Sequence, residues 1–175
     1  WAQAARDFDD GAIIVGTGKN HVSAKEYLAH PEKYRSSLVV IGPQYLLANK
    51  NLFKDGGFDS WAVDEAHIGP RNEDAQINHL LKEWGPVPVK AFLTGTPMTT
   101  SPVDFKEYIS ILSDGAVWGD LTDAQWSEAY LDYSPVPAAL GGTGKGPKVQ
   151  LKASSRPEVA QSIAKYAHIA LSQDV

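Results

Sequence analysis

The decisive stretch is Ala62-Val63-Asp64-Glu65-Ala66-His67, answered downstream by Phe92-Leu93-Thr94-Gly95-Thr96-Pro97. An apolar run that ends in adjacent carboxylates is how a buried strand presents acids to a magnesium–nucleotide complex. A second apolar run ending in small hydroxyl residues places Thr94 and Thr96 at the same sheet edge. Either run alone says much less than the two together.

Working outward, the flanking chain reads as strands alternating with helices. Ala12 to Gly16 is a short apolar run with β-branched residues and predicts a buried strand, Leu38 to Gly42 predicts a second, and Phe58 to Val63 and Val89 to Leu93 predict a third and a fourth strand. Ser23-Ala24-Lys25-Glu26 has the spacing of a capping box, so a short helix should follow and stop before Pro31. Pro43 suits a first helical position and opens a helix through Tyr45, Leu46 and Leu47. Ile77, Leu80, Leu81 and Trp84 fall on one face of an amphipathic helix. Ser101 to Asp104 caps another, with Phe105, Tyr108, Ile109 and Leu112 on its buried side. Thr122-Asp123-Ala124-Gln125 is a second capping box. A final helix is expected over about Pro157 to Leu171, with Val159, Ile163, Tyr166, Ala167 and Ala170 on one side. This alternation predicts an α/β fold with βαβ units and a mainly parallel sheet flanked by helices. Residues 134–148 are dominated by proline, glycine and small side chains, and predict a flexible loop.

Composition narrows the classes. The chain has 175 residues, 43% of them hydrophobic, enough to bury one sizeable core, with room for an appendage. No apolar run approaches the roughly 20 residues of a membrane helix, so no membrane partner is expected. The absence of cysteine excludes disulfides and thiolate metal sites and permits an intracellular home. A net charge of −5 is not the basic balance of a nucleic-acid binder that acts alone. The chain either holds no nucleic acid or holds it with help from another part.

In α/β sheets, ligands sit beyond the carboxyl ends of the strands, where Asp64 and Glu65 are expected. Magnesium prefers hard oxygen ligands and keeps several waters, so one carboxylate plus the phosphates of ATP suffices, and Asp64 suits that role. Glu65 can orient and deprotonate the water that attacks the γ-phosphate, since phosphoryl transfer depends mostly on positioning and charge stabilisation. His67 can hydrogen-bond across to the Thr94–Thr96 turn and sense the γ-phosphate. An Asp-Glu pair by itself can simply end a surface strand; the strand context and Thr-Gly-Thr-Pro favour the ligand-facing reading. Gly16-Thr17-Gly18-Lys19 and Gly142-Thr143-Gly144-Lys145 lack the spacing and the following hydroxyl of a phosphate loop, and read as turns. His21, His30, His79 and His168 show no ligand spacing. Trp61, Trp84, Trp118 and Trp126 are assigned to packing rather than to base stacking. Lys145, Lys148 and Lys152 are read as part of a solvated loop.

Asp64-Glu65-Ala66-His67 and Leu93-Thr94-Gly95-Thr96-Pro97 resemble motifs II and III of superfamily-two helicases, closest to the Swi/Snf-type DNA translocases, the chromatin-remodelling ATPases. Val39-Val40-Ile41 with Tyr45-Leu46-Leu47 resembles the family's motif Ib, and Ser101 to Leu112 the helix after motif III. The likeness is strongest over residues 37–112. It implies a partial RecA-like P-loop NTPase lobe, with residues 1–175 forming the later part of the helicase ATP-binding first lobe. On that resemblance Asp64 binds magnesium and Glu65 activates water. His67 and the coupling motif Thr94, Gly95 and Thr96 link hydrolysis to lobe movement, and Gln44 and Tyr45 lie where the family touches DNA phosphates. ATP is the implied substrate, and duplex DNA and a second RecA-like lobe are the implied partners. The implied location is intracellular: nuclear in a eukaryote, otherwise cytoplasmic.

The chain departs from the family pattern at Gly42-Pro43-Gln44, where two threonines usually precede the tyrosine, and after His67, where Ile68-Gly69-Pro70 replaces a basic residue. The nucleotide loop itself is expected upstream of Trp1, which makes the isolated chain an inactive piece of a longer motor with an exposed sheet edge prone to self-association. Other readings share these residues: a non-enzymatic, motor-derived module binding a protein partner or DNA; a lobe of another superfamily-two motor, such as an RNA helicase or restriction-type translocase; and an unrelated α/β hydrolase.

Overall fold

The computed structural model describes residues 12–34, 38–50, 57–68, 75–85, 87–97, 101–134 and 148–167. The chain is mixed α/β and divides into two compact units, residues 1–59 and 60–175. The 135–147 part of the proline- and glycine-rich stretch, Lys145 and His168 lie outside the described residues.

In the first unit, β1 (Ile13–Val15) pairs in parallel with β2 (Val39–Ile41), with Ile14 opposite Val40. Between them run α1 (Ala24–Ala29) and α2 (Pro31–Tyr34). Ser23 caps α1 as its spacing predicts, its hydroxyl accepting the Glu26 N–H at 3.1 Å. After β2 comes α3 (Pro43–Ala48), with Pro43 opening it, where the missing N–H costs nothing. Tyr27 is buried and stacks on both Tyr34 and Phe58 at ring-centroid distances of 5.5 and 5.6 Å.

The second unit begins with β3 (Ser60–Val63), which pairs in parallel with β4 (Val89–Phe92) across the helix α4 (Gln76–Glu83). Ile77, Leu80 and Leu81 of α4 are buried, as their spacing predicts. Helix α5 (Val103–Leu112) packs on β4, the ring of Tyr108 lying 5.1 Å from that of Phe92. Thr122 caps α6 (Asp123–Tyr130) in a complete capping box with Gln125. Then β5 (Leu131–Ser134) and β6 (Lys148–Leu151) form an antiparallel pair, followed by α7 (Arg156–Tyr166). Trp126, Leu131 and Val159 form a buried cluster backed by Trp118, Tyr130 and Ile163.

Three expectations need correction. The described strands form three two-stranded sheets, two parallel and one antiparallel, instead of one mainly parallel sheet. The antiparallel pair embraces the stretch read only as a loop, because the apolar residues at its two ends, Leu131, Val149 and Leu151, close over Trp126. Strand β3 is not buried on both sides: Trp61 and Val63 are half-buried while Ser60 and Ala62 are exposed. That alternation is the signature of a sheet covered on one face. Finally, α5 is not amphipathic in the expected sense. Asp104, Lys106, Glu107 and Ser110 are buried with Tyr108, Ile109 and Ile111, while Phe105 and Leu112 are only half-buried. Among the described residues no helix is long and apolar enough to cross a membrane.

Candidate functional site

The candidate site lies at the carboxyl ends of β3 and β4. Parallel pairing places Val63 opposite Phe92, so the residues that follow each strand emerge side by side. The ladder continues one step beyond both strands. Leu93 donates its N–H to the Val63 carbonyl at 2.9 Å, and its own carbonyl accepts from the Ala66 N–H at 3.0 Å. In an uninterrupted parallel ladder that second donor would be Glu65. One extra residue is therefore inserted, and the chain bulges outward at Asp64 and Glu65.

Glu65 takes the left-handed backbone conformation, with φ of 48°. That is an unfavourable choice for a residue with a side chain, costing about 1 kcal/mol or more. The bulge is pinned on both sides. Ala66 is fully buried, and the Ile68 N–H closes a tight turn onto the Glu65 carbonyl at 2.9 Å. Asp64 and Glu65 are consequently both exposed beyond the strand end, although successive residues of a regular strand would face opposite ways. Bulges next to functional sites re-aim side chains in this manner.

His67 is half-buried and joins the two loops. Its Nδ1 lies 2.9 Å from the Thr94 hydroxyl, the bond expected from sequence, and 3.3 Å from the Glu65 carboxylate. The Thr94 hydroxyl also accepts the Thr96 N–H at 3.1 Å, which shapes the Thr94-Gly95-Thr96 turn. Asp64, Glu65, His67, Thr94, Gly95 and Thr96 are thus brought to one edge. The sequence contains no sign of the bulge or of the Glu65–His67 contact, since no glycine or asparagine marks the left-handed position.

Gln44 and Tyr45 belong to the first unit, on α3. Gln44 is exposed. Tyr45 is half-buried, and its hydroxyl accepts the Ala24 N–H at 3.1 Å, satisfying one of the orphan donors at the start of α1. The Gly16–Lys19 loop wraps the imidazole of its own His21, with the Gly18 N–H donating to Nδ1 at 3.0 Å. A Cβ added at Gly16 or Gly18 would lie 2.7 Å from that ring, so both glycines are needed for this close approach. The loop's interior is filled by a side chain, in keeping with its assignment as a turn.

Trp126 is fully buried, and Trp61, Trp84 and Trp118 are half-buried. Trp61 packs on Phe92 at 5.1 Å and Trp118 edge-on to Trp126 at 5.5 Å. Among the described residues no group of three or more histidines and carboxylates is placed to hold a metal ion. A magnesium ion needs less than that. An exposed carboxylate at the end of a strand fits it, with phosphate and water oxygens completing the shell, and Asp64 offers one.

No protein-family model matches this chain, and comparison with curated proteins and with solved structures finds no match.

A buried ionic network, absent from any reading of the sequence, ties together the helices that leave these loops. Glu107 on α5 is wholly inaccessible and accepts from Asn78 at 3.2 Å, Lys82 at 3.1 Å and Lys106 at 2.8 Å. Lys106 also reaches Asp123 at 3.0 Å. Burial tends to lower the Lys106 pKa, but its hydrogen bonds to Glu107 and Asp123 outweigh that and leave it raised above the ordinary value.

Proposed function

We propose that this protein is part of the ATPase motor of a DNA-dependent, helicase-like translocase, built on a partial RecA-like lobe, that couples Mg-ATP hydrolysis to movement on duplex DNA. The observation that supports it most is the bond of 2.9 Å from His67 to Thr94, which links the acidic turn after β3 to the hydroxyl turn after β4. Two loops that must report on one ligand gain from such a link, because displacement of either is felt by the other.

On this reading Asp64 holds magnesium, directly or through water, and Glu65 accepts the proton of the attacking water. The metal, when bound, neutralises phosphate charge as it develops. His67, Thr94 and Thr96 transmit the state of the site to the rest of the lobe. A second lobe would close over the nucleotide and contribute an arginine, and Gln44 and Tyr45 would touch the DNA backbone. The net charge of −5 assigns most of the DNA contact to other parts of the assembly.

The test is ATP hydrolysis with and without duplex DNA, on the full natural protein, beside Glu65→Gln. Stimulation by DNA, with turnover abolished and ATP binding kept in Glu65→Gln, is the expected outcome. Equal turnover with and without any nucleic acid refutes the translocase reading. A second reading is a motor-derived binding module without activity, since neither Gly-Thr-Gly-Lys stretch of this sequence, Gly16–Lys19 or Gly142–Lys145, has the spacing of a phosphate loop. Absence of both ATP binding and turnover would select that module.

A further inference from the structure

We propose that the pocket between the start of β4 and the end of α7 binds a small oxyanion, a phosphate or carboxylate group held between Lys90 and Lys165. Its volume is about 290 Å³, close to the lower bound of roughly 300–1,000 Å³ for small-ligand sites. Lys90 is the second residue of β4, so the pocket lies at the opposite end of that strand from the Thr94–Thr96 turn. The site is therefore separate from the acidic turn and independent of the Mg-ATP reading.

Lysine is seldom buried, yet the Lys90 side chain is only 7% exposed. Its ammonium donates to the Asp114 carboxylate and, at 3.4 Å, to the Ile111 carbonyl near the end of α5. An ammonium carries three donors, so one is left for a ligand. Lys165 comes from the last turn of α7. Its ammonium lies 5.1 Å from the centre of the Tyr166 ring, and among the described residues it has no carboxylate partner. Two ammoniums thus share the pocket with one carboxylate, a local excess of positive charge on a chain whose net charge is −5. Complementing the end of α7 accounts for Lys165 in the last turn, but not for its sharing a pocket with a second, nearly buried cation. Val87 and Leu112 line the same pocket, and apolar walls strengthen its attraction for an anion.

Asp114 is the competitor. An oxyanion that takes the remaining donor of Lys90 and the ammonium of Lys165 is repelled by this third charge in the pocket. Removing that charge should tighten binding, whereas removing Lys165 should weaken it. Asp114 is 51% exposed and has the left-handed φ of 54°, a conformation asparagine also tolerates, so Asp114→Asn keeps the turn. Lys165 is exposed, and Lys165→Met keeps the length of the side chain without its charge.

The experiment is isothermal titration calorimetry with inorganic phosphate and with acetate, at constant ionic strength held by sodium chloride. Saturable binding to one site is expected, weakened about tenfold or more in Lys165→Met, since a charged hydrogen-bonding partner is lost. Asp114→Asn should bind several-fold more tightly, a gain that a damaged fold would not produce. Lys25→Met, which removes an exposed lysine of the first unit, should bind as wild type does. Binding of phosphate alone assigns the site to phosphate-bearing ligands, and binding of acetate as well extends it to carboxylates. No saturable binding of either probe in the tens of millimolar overturns the proposal. Equal weakening in Lys25→Met and Lys165→Met does so too, because the attraction would then be diffuse. Failure of Asp114→Asn to tighten binding would show that the anion is not held beside Lys90.

Discussion

Replacing Glu107 by glutamine changes almost no volume and removes one charge, and the structure says how much that should matter. The Glu107 side chain is 0% exposed and Lys106 is 3% exposed, with 2.8 Å between carboxylate and ammonium. At an effective dielectric of roughly 20, their gross attraction is about 6 kcal/mol. Most of that offsets the desolvation of two ions, so the intact pair adds little net stability. Losing one partner is different, because Lys106 is nearly buried and loses its closest carboxylate, while Asp123, which is 21% exposed, remains. Breaking such a pair costs about 3–5 kcal/mol, and we take about 3 because Asp123 remains.

For an m-value near 2 kcal/mol/M, about 3 kcal/mol moves the urea midpoint down by roughly 1.5 M. Lys82→Met should cost only about 1 kcal/mol, since that lysine is 42% exposed and its ammonium can turn to water. Lys106→Met/Glu107→Gln should be no less stable than Glu107→Gln alone, because the nearly buried cation is removed together with its closest carboxylate. Urea unfolding followed by tryptophan fluorescence measures all four proteins. A cost below about 1 kcal/mol for Glu107→Gln, or equal costs for Glu107→Gln and Lys82→Met, would refute this account of the network.

Three other outcomes are expected. The Lys106 pKa is raised by folding, so its stabilisation is fully present below the unfolded value of 10.5 and is lost as pH rises through the folded one. Alkaline titration of stability should show this loss in wild type and a smaller one in Lys106→Met. Gly18→Ala places a Cβ against the His21 ring and should destabilise by about 1–3 kcal/mol, whereas adding it to His21→Ala should cost much less; a double-mutant cycle decides. The β3–β4 pair gains no third strand among the described residues, and Val89 and Leu93 are 60% and 46% exposed. Light scattering of the isolated chain should therefore show mass rising with concentration, and a monomer throughout would count against an adhesive edge.

Local chemistry was the legible part. Ser23 and Thr122 cap the helices their spacing predicts, Pro43 opens α3, and Ile77, Leu80 and Leu81 turn inward, because each depends on neighbours within a turn or two of chain. The four apolar runs became β1 to β4 with boundaries moved by one or two residues. What failed depended on partners distant in sequence. Strand β5 follows α6 without a break and was not expected as a strand, because only β6 supplies its ladder. Lys106 and Glu107 look like a solvated pair on the polar side of a helix, until Asn78 and Lys82 from one side and Asp123 from the other surround them.

The site divides along the same line. Sequence alone determined that two carboxylates would end one strand, that a threonine turn would end another, and that His67 had the reach to join them. Those are properties of residue type and order, and they need only the period of a strand and the length of a side chain. Only the tertiary structure decided that Glu65 would be the inserted residue of a bulge and that the His67 Nδ1 would lie within 3.3 Å of the Glu65 carboxylate while bonded to Thr94. Both follow from the register of β3 against β4, and register is set by hydrogen bonds between residues far apart in the chain, which no local pattern records.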